Sequence, residues 1–437
     1  MKLGAALTVA TFAACGGAML GCGADTPGQQ PGTPGPAGGA GVGNGGSSAV
    51  AGSATAAAAA GVGSGVAGAG GDIAGAGSIA GGGGASAGAG GAGGTGSVES
   101  TLAGCSLQFP YQDEPTLGTW LGGDSAYSTL LSPTVALWSF QDTFIGKHGQ
   151  TVRQGAGLTA NTYARVSCEQ GKSKIQYFWR SSGDPAIMSD GVANQRFWPQ
   201  QPIVYKGVLF QAMTRVQGGA SEIGTTLARV FNPLDPPNTW HAEYFELAKL
   251  PGLGKGTIVI DNYAYLFGNS GQAIVTRLPL DELIKPGAVP SALIQYLASD
   301  GQWSAGLDTA AAKKLGFSAN VGTSFRYLAS VSKWLVLFTD TSGWPSANIA
   351  VSTAPGLEGP WTKPVKVYQV PEMTVGSPEY DQDTVCYAAI EHGESNPDPD
   401  TDLLFSYTCN SLVGTKQIGN MGIYLPKIVK LKNPVVN

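Results

Sequence analysis

The sequence predicts an all-β fold, and the order of its strand-forming segments favours a five-bladed β-propeller preceded by a disordered Gly/Ala-rich tether. Three observations lead to this expectation: short aromatic and branched runs between turn residues, scarce helical periodicity, and five similar stretches along the chain. Many short strands spaced by turns are typical of sandwiches, barrels and propellers. The pattern alone places a propeller slightly ahead of a sandwich.

The N-terminus has the pattern of an export signal. Met1-Lys2 is a short positive region, and residues 3–14 are small and apolar but too few to span a bilayer. Ala18-Met19-Leu20-Gly21-Cys22 resembles a bacterial lipobox and predicts a lipid on Cys22, with Cys15 as a weaker candidate. Simple cleavage that releases a soluble protein is the alternative. We therefore expect residues 1–22 to anchor an exported lipoprotein in the cell envelope, at the outer membrane or cell surface.

Residues 23–104 form a low-complexity segment of Gly, Ala, Ser and a few Pro. Such a segment has almost no side-chain area to bury, so it cannot offset the entropy lost on ordering. It lacks the Gly-X-Y period of collagen. We expect a flexible linker that holds the following domain away from the membrane.

Residues 105–437 are long enough for one large core and are expected to form the propeller domain as a monomer. The chain has a formal net charge of -5 and no basic cluster, which argues against nucleic acid as a partner. It contains three histidines and no HExxH or CxxC spacing, which argues against a zinc site. We expect no cofactor.

Four cysteines, at positions 105, 168, 386 and 409, lie in this region. An even number in an exported protein fits two disulfides. Cys386 and Cys409 lie in two strand-like runs joined by a loop, so we expect them to pair across neighbouring strands and to leave Cys105 for Cys168. Four buried free thiols are the alternative.

Strand-forming runs dominate the domain. Each is rich in aromatic or branched residues and is bounded by Gly, Pro, Asn or Asp. The runs are Val135–Phe140, Lys174–Trp179, Gly207–Met213, Tyr263–Gly268, Lys333–Thr339 and Leu403–Thr408. Short helices are expected at Pro279–Ile284 and Ser291–Leu297.

Five stretches share one plan: a small or aromatic strand, a strongly apolar strand and then a polar strand. They begin near Thr119, Phe197, Gly256, Ser318 and Glu379. Their spacing of about sixty to eighty residues is compatible with four-stranded blades plus loops. This organisation is the reason for preferring a propeller.

Two acidic residues stand inside otherwise apolar or small-residue segments. Asp124 lies in Trp120–Ser128 and Asp142 in Leu137–Phe144, and a turn at Ser132-Pro133 is expected to join the two as neighbouring strands. A carboxylate among aromatic residues is costly to bury unless it is used or satisfied. Such a pair can supply the acid and base of a sugar-cleaving site. The alternative is that Asp124 caps a turn and Asp142 ends a strand.

Two other acidic loops could bind Ca²⁺. Asp381 and Asp383 are close in sequence, and Asn396–Asp402 has carboxylates at alternate positions, as oxygen-ligand loops do. Both are better explained as polar loops beside strands.

The segment Gly122–Ser128 followed by Leu137–Gly146 resembles the opening blade of a family of five-bladed propellers. That family includes domains of unknown function and is similar to the endo-D-arabinanases of glycoside hydrolase family 183, and more distantly to family 43 arabinanases and xylosidases. The resemblance covers nearly all of residues 115–432. Further matches are Ala160-Asn161-Thr162, Phe197-Trp198-Pro199, Tyr263–Gly268, Ile349–Ala354 with Gly359-Pro360-Trp361, and Ala388–Glu394.

The resemblance implies that Asp124 and Asp142 point into the central channel as the essential carboxylates. One would be the general acid and the other the base or nucleophile, with the assignment open. Gln141 stands where the family commonly has Gly, which allows close approach of a ligand. This departure weakens the prediction of a particular substrate.

The resemblance also implies sugar-binding residues. Tyr127, Asn161 and Trp198 would line the channel rim and contact sugar hydroxyls or ring faces. His392 would face the channel from the last blade, with a purely structural histidine as the alternative.

These patterns predict a surface-tethered glycoside hydrolase acting on an arabinose-containing or related polysaccharide. The alternative is a non-catalytic carbohydrate-binding or adhesion propeller on the cell surface, because one fold supports both. A carboxyl group of Asp124 that bonds only backbone in a turn would favour the binding protein.

Overall fold

The chain is described here by a computed structural model. The predicted export signal, the lipidation site at Cys22 and most of the linker lie outside the described residues. Strands predominate and helices are short within the described part, as predicted, and no helix there is long and apolar enough to cross a bilayer. The described residues are 92–93, 102–181, 185–270, 272–318, 322–340, 342, 345 and 347–436.

The described strands form six sheets, which we call sheet N and sheets I to V. The first strand, β1 (Ala92–Gly93), pairs in parallel with residues 204 and 205. Sheet N contains β2 (Gln112–Glu114), β3 (Gly118–Gly123), β6 (Thr143–Gly146) and β7 (Gly157–Thr159). Sheet I contains β4 (Tyr127–Ser132), β5 (Val135–Phe140), β8 (Thr162–Glu169) and β9 (Lys172–Phe178).

Sheets II to V follow one another along the chain as antiparallel meanders. Sheet II contains β10 (Gln195–Tyr205), β11 (Val208–Gln217), β12 (Ser221–Val230) and β13 (Ala242–Ala248). Sheet III contains β14 (Gly256–Ile260), β15 (Tyr263–Ser270), β16 (Gln272–Pro279), β17 (Gln295–Leu297) and β18 (Trp303–Ala305). Sheet IV contains β19 (Thr323–Leu328), β20 (Lys333–Thr339), β21 (Asn348–Ala354) and β22 (Val365–Gln369). Sheet V contains β23 (Thr384–Glu391), β24 (Asp402–Ser411) and β25 (Pro426–Lys432).

The helices are α1 (Leu280–Leu283), α2 (Pro290–Leu293) and α3 (Gly414–Gly419). The helix predicted near residue 280 is confirmed. The helix predicted over Ser291–Leu297 is wrong in its second half, where β17 pairs with its neighbours in sheet III. Single 3₁₀ turns occur at Pro237–Thr239, Ala329–Val331, Pro371–Met373 and Gly393–Ser395.

The first strands of sheets I to V pack beside one another in chain order: β4, β10, β14, β19 and β23. Tyr127 at the start of β4 also packs against Ala388 and Ile390 of β23, so the last sheet meets the first. Apolar layers fill the spaces between consecutive sheets. Leu137 and Leu209 share the layer between sheets I and II, for example, and aromatic rings stack between sheets III and IV.

The two acidic segments do not form a single hairpin of two long strands, which corrects the expectation from sequence. The hairpin at Ser132 joins only β4 and β5, whereas β3 pairs with β6 in sheet N. The chain passes from sheet N to sheet I at Asp124 and returns at Asp142. Gly122, with φ of +125°, turns the first passage, and a Cβ there would lie 2.5 Å from the Tyr424 carbonyl oxygen.

Both predicted disulfides are present. Cys105 is bonded to Cys168, and Cys386 is bonded to Cys409. The second pair lies directly opposite on β23 and β24, with a Cα–Cα distance of 4.0 Å. It therefore fixes the register of the first two strands of sheet V.

A buried arginine ties sheet N to the segment that follows β24. The Arg153 side chain lies between the rings of Phe144 and Tyr424, about 1% exposed. Its guanidinium donates at 2.6–3.1 Å to the backbone carbonyl oxygens of Leu121, Gln417, Asn420 and Ile423. Because no carboxylate pairs with it in the hydrogen bonds described, carbonyl dipoles satisfy this charge.

Replacing this arginine should destabilise the fold. Arg153→Met keeps much of the side-chain volume but leaves buried carbonyls without donors, each costing about 1–3 kcal/mol. We expect the free energy of unfolding to fall by about 3 kcal/mol or more, measured by denaturant titration. Lys174→Met removes an exposed ion pair and should change it by less than about 0.5 kcal/mol. Equal effects of the two substitutions would contradict a structural role for Arg153.

Candidate active site

Asp124 and Asp142 lie side by side where the chain crosses twice between sheet N and sheet I. The Asp124 amide donates to the Asp142 carbonyl oxygen at 3.2 Å, and the Gln141 amide donates to the Asp124 carbonyl oxygen at 3.0 Å. These backbone bonds bring two carboxyl-bearing residues together independently of their side chains. The predicted pairing of the two residues is therefore seen, although in connections between strands rather than within strands.

The Asp124 carboxyl group is buried, with 7% of the residue exposed. Its Oδ2 accepts a hydrogen bond of 2.6 Å from the Tyr387 hydroxyl, and its Oδ1 makes no hydrogen bond to the described residues. Burial, followed by the neighbouring charge of Asp142, raises the pKa of Asp124 to about 8, although Tyr387 acts in the opposite direction. This group is suited to carrying a proton at neutral pH.

The Asp142 carboxyl group has a different environment. It is partly exposed, and its Oδ1 accepts a hydrogen bond of 2.8 Å from the Trp198 indole N–H. Burial raises the pKa of Asp142, while the positive charge of Arg196 and the bond from Trp198 lower it. The Arg196 guanidinium lies 5.7 Å from the centre of the Trp198 ring, so the cation and the indole border the same carboxylate.

Two adjacent carboxyl groups with different partners divide readily into an acid and a base. The side chains that act on the pKa of Asp124 are Asp142 and Tyr387, whereas the positive charge of Arg196 lowers the pKa of Asp142. As pH rises, Asp142 is therefore the first of the two carboxyl groups to lose its proton. The arrangement can donate a proton from Asp124 and accept one at Asp142.

Of the four predicted sugar-binding residues, only Trp198 contacts a predicted catalytic carboxyl group. Tyr127 is almost fully buried and its hydroxyl donates to Gln200 Oε1 at 2.9 Å. Asn161 is fully buried and its amide bonds the backbone of Met188 and Phe197. The expectation that Tyr127 and Asn161 line the rim is corrected, because neither presents a polar atom to a ligand.

His392 is also buried, 0% exposed, and its ring stacks on Trp138 with centres 4.1 Å apart. Its Nδ1 lies 2.7 Å from Ser128 Oγ, and its Nε2 lies 2.8 Å from Ser406 Oγ. Both ring nitrogens are therefore engaged within the protein. The structural alternative for this residue describes its surroundings better than sugar contact does.

Ser128 links His392 to a buried acid. The Ser128 hydroxyl lies 2.5 Å from Glu394 Oε1. Burial raises the pKa of Glu394 to about 7 and lowers that of His392 to about 3. A hydrogen-bonded chain of acid, hydroxyl and imidazole therefore lies beside the first strand of sheet I.

A narrow cavity of about 40 Å³ is lined by residues from the first strands of all five sheets I to V. They include Ser128, Gln201, Thr257, Ser324 and Glu391, with Glu394 beside them. Glu391 forms an ion pair with Arg326 at 2.8 Å. The cavity has room for a few water molecules rather than a sugar.

The loops considered for Ca²⁺ are occupied by lysines. Lys416 pairs with Asp381 and Asp383, and Lys432 pairs with Asp402. One group of three metal-ligating side chains is found among the described residues, formed by Glu372, Cys386 and Cys409. Its two sulfur atoms are joined in a disulfide and are not thiolates.

Tyr387 and Arg196 are neighbours of the acidic pair that were not predicted from sequence. Tyr387 is 263 positions from Asp124, so no local pattern relates them. Arg196 is only two residues before Trp198, and a basic residue beside a predicted binding aromatic was a readable signal. Glu394 enters the sequence patterns only as the end of the Ala388–Glu394 match.

Residues 115–433 match the family described as "Domain of unknown function (DUF5005)". No curated protein matches the chain. Among solved structures, a candidate hydrolase from Bacteroides ovatus ATCC 8483 is similar with a TM-score of 0.54 and 16% identity, over 72% of this chain and 86% of that chain. At this identity the likeness shows a shared fold.

Two further solved structures are similar at lower scores. An exo-β-1,3-galactanase from Phanerochaete chrysosporium has a TM-score of 0.41 and 12% identity, over 73% of this chain and 66% of that chain. A GH43_1 enzyme from Xanthomonas citri has a TM-score of 0.40 and 10% identity, over 74% of this chain and 90% of that chain.

The hydrogen bonds from Glu394 through Ser128 to His392 should link the tautomer of the His392 ring to the ionisation of Glu394. A serine hydroxyl has one proton to donate. When Glu394 is ionised, Ser128 donates to Glu394 and accepts from His392 Nδ1–H. When Glu394 is protonated, it donates to Ser128, and Ser128 donates to His392 Nδ1. We expect ¹⁵N NMR of labelled histidine to show a neutral His392 from pH 5 to 9 that changes tautomer near pH 7. Ser128→Ala should abolish the change. An imidazolium form of His392 above pH 5 would contradict the burial described.

Proposed function

The chain belongs to the DUF5005 family, and we propose that this member is a glycoside hydrolase that acts through Asp124 and Asp142. The observation that carries the proposal is the pair of carboxyl groups held together by backbone hydrogen bonds in two unlike environments. Glycoside hydrolysis uses such a pair, one group protonated and the other ionised.

We further propose that sheets I to V are the five blades of a propeller. Support comes from the side-by-side packing of their first strands, the apolar layers between consecutive sheets, and the cavity that all five strands line. The likeness to the Bacteroides ovatus protein supports a shared fold. A propeller commonly presents its site at one end of its central axis, where loops from several blades converge.

In this proposal Asp124 is the general acid. Its Oδ1 makes no hydrogen bond within the described residues, and burial with the charge of Asp142 keeps the group protonated at neutral pH. The proton passes from Asp124 to the glycosidic oxygen as the bond from that oxygen to the anomeric carbon breaks. The sugar then carries positive charge at the anomeric centre.

Asp142 is the base or the nucleophile. The Trp198 indole N–H and the charge of Arg196 favour its ionised form. As a base it takes a proton from water, whose oxygen bonds the anomeric carbon; as a nucleophile it bonds that carbon itself until water displaces it. In either route the elements of one water molecule are divided between the two products. In the base route Asp142 then releases its proton to solvent and Asp124 takes one from solvent, whereas in the nucleophile route Asp124 takes the proton of the attacking water.

We propose an arabinose-containing or related polysaccharide as the substrate and a lipid anchor at Cys22 as the attachment to the cell surface. The first follows from the family resemblance of the sequence, and the second from the lipobox-like segment. A non-catalytic binding protein is less well supported, because the Asp124 carboxyl group bonds a side chain of another sheet.

Removing either carboxyl group should abolish hydrolysis. The purified protein would be tested for release of reducing sugar from arabinans, arabinogalactans and xylans. Asp124→Asn and Asp142→Asn should each lower kcat/KM by about 10²- to 10⁴-fold. The exposed Asp300→Asn should leave it unchanged. Because Asp124 must be protonated, activity should fall as pH rises past about 8.

Retention of activity by both variants would overturn the assignment. Binding of these polysaccharides without cleavage, unchanged in the two variants, would instead establish a carbohydrate-binding protein.

A further inference from the structure

We propose that Tyr387 is a positioning residue for the acid, holding Asp124 so that its transferable proton lies on Oδ1. This inference rests on the proposed function for the use of that proton. The Tyr387 hydroxyl lies 2.6 Å from Asp124 Oδ2. This contact joins sheet V to the connection between sheets N and I.

The direction of this hydrogen bond follows from a third residue. The Ser411 amide donates to Asn410 Oδ1 at 2.7 Å, so the side-chain amide of Asn410 must present its NH₂ group elsewhere. That group donates to the Tyr387 oxygen at 3.5 Å. Accepting from Asn410 leaves the Tyr387 proton free, and the tyrosine donates it to Asp124 Oδ2 in the 2.6 Å bond.

This direction decides where Asp124 carries its proton. Oδ2 accepts from Tyr387, and in a protonated carboxyl group the carbonyl oxygen is a stronger acceptor than the hydroxyl oxygen, so this bond favours Oδ2 as the carbonyl oxygen. The proton therefore resides on Oδ1, the oxygen without a hydrogen-bond partner among the described residues. A buried polar atom left without a partner is costly unless a ligand or water satisfies it.

Three features of sheet V hold Tyr387 in place. Cys386, the preceding residue, is bonded to Cys409, and Cys409 precedes Asn410. The residue after Tyr387, Ala388, has φ of +57°, and one extra residue interrupts the pairing of β23 between Tyr387 and Ile390. Such a bulge changes the direction of a side chain next to a site.

Gly322 packs directly against the bulge. A Cβ at Gly322 would lie 2.6 Å from the Cα of Ala388. The disulfide therefore fixes Tyr387 and Asn410 on adjacent strands, and the bulge directs the tyrosine towards Asp124.

The titratable groups that act on Asp124 or respond to it are Asp142, Tyr127, Tyr387 and Tyr424.

The test is the titration of Asp124 in the full chain, followed by ¹³C NMR with aspartate labelled at Cγ and assigned with Asp124→Asn. Tyr387 donates to the ionised form, so Tyr387→Phe should raise the pKa of Asp124 by about one to two units. Tyr380→Phe, which alters a partly exposed tyrosine in the loop before β23, should leave the pKa unchanged. Asn410→Ala should give a smaller rise in the same direction.

The disulfide is tested with Cys386→Ala combined with Cys409→Ala. If this double variant folds, its Asp124 titration should move towards that of Tyr387→Phe. If it does not fold, the single tyrosine variant still decides the matter. An unchanged Asp124 pKa in folded Tyr387→Phe would overturn the proposal.

Activity gives a second readout. In an active enzyme, Tyr387→Phe should lower kcat by about 10- to 100-fold with little change in KM, and should move the alkaline limb of the pH profile upward with the Asp124 pKa. The NMR titration needs no substrate. A shifted pKa in a protein inactive on every polysaccharide would leave the role of Tyr387 intact and overturn the hydrolase proposal alone.

Discussion

Two backbone hydrogen bonds between the passages at Asp124 and at residues 141–142 hold the place where sheet N and sheet I exchange strands. Because the bonds are made by main-chain groups, they place the two carboxyl-bearing residues together independently of side-chain contacts. The rest of the site responds to that placement. Trp198 from sheet II supports Asp142, and Tyr387 from sheet V supports Asp124.

Placing two carboxyl groups side by side costs free energy when both are ionised. The neighbouring residues stabilise the ionised forms of the two groups to different extents. Like charges at close range favour one ionised and one protonated group, and burial favours the protonated form of the more enclosed one. Arg196 and the Trp198 indole assist only Asp142. Sheet II therefore adds to the difference that unequal burial creates between two chemically identical residues.

The mostly β character of the fold was readable from sequence because strand length and turn residues are local signals. The runs at Val135 and Lys333 are strands, and both disulfides were predicted from an even cysteine count and strand positions. The continuous strands expected through Asp124 and Asp142 were wrong, because Gly122 and Ser125 have positive φ that residue type alone did not reveal. The adjacency of the two acids was nevertheless expected correctly.

The surroundings of the site were less predictable. Tyr127, Asn161 and His392 have polar groups that suit sugar contact, yet tertiary contacts use all of them inside the protein. Tyr387 and Arg153 contact residues more than 260 positions away in sequence. The distant partners of Arg153 are backbone carbonyl groups, which every residue has, so no residue type in the sequence marks them. Patterns in one sequence report local structure, whereas these contacts depend on which sheets meet.

The contacts of Arg153 also bear on how the chain reaches its native state. Three of them join residues 264 to 270 positions apart, so the segment between β24 and β25 must be in place before these contacts can form. Long-range closure of this kind slows folding and leaves strand edges unpaired during synthesis. An intermediate with sheets I to IV formed would expose apolar surface on both sides, and the concentration of chains in that stage would set the balance between maturation and aggregation.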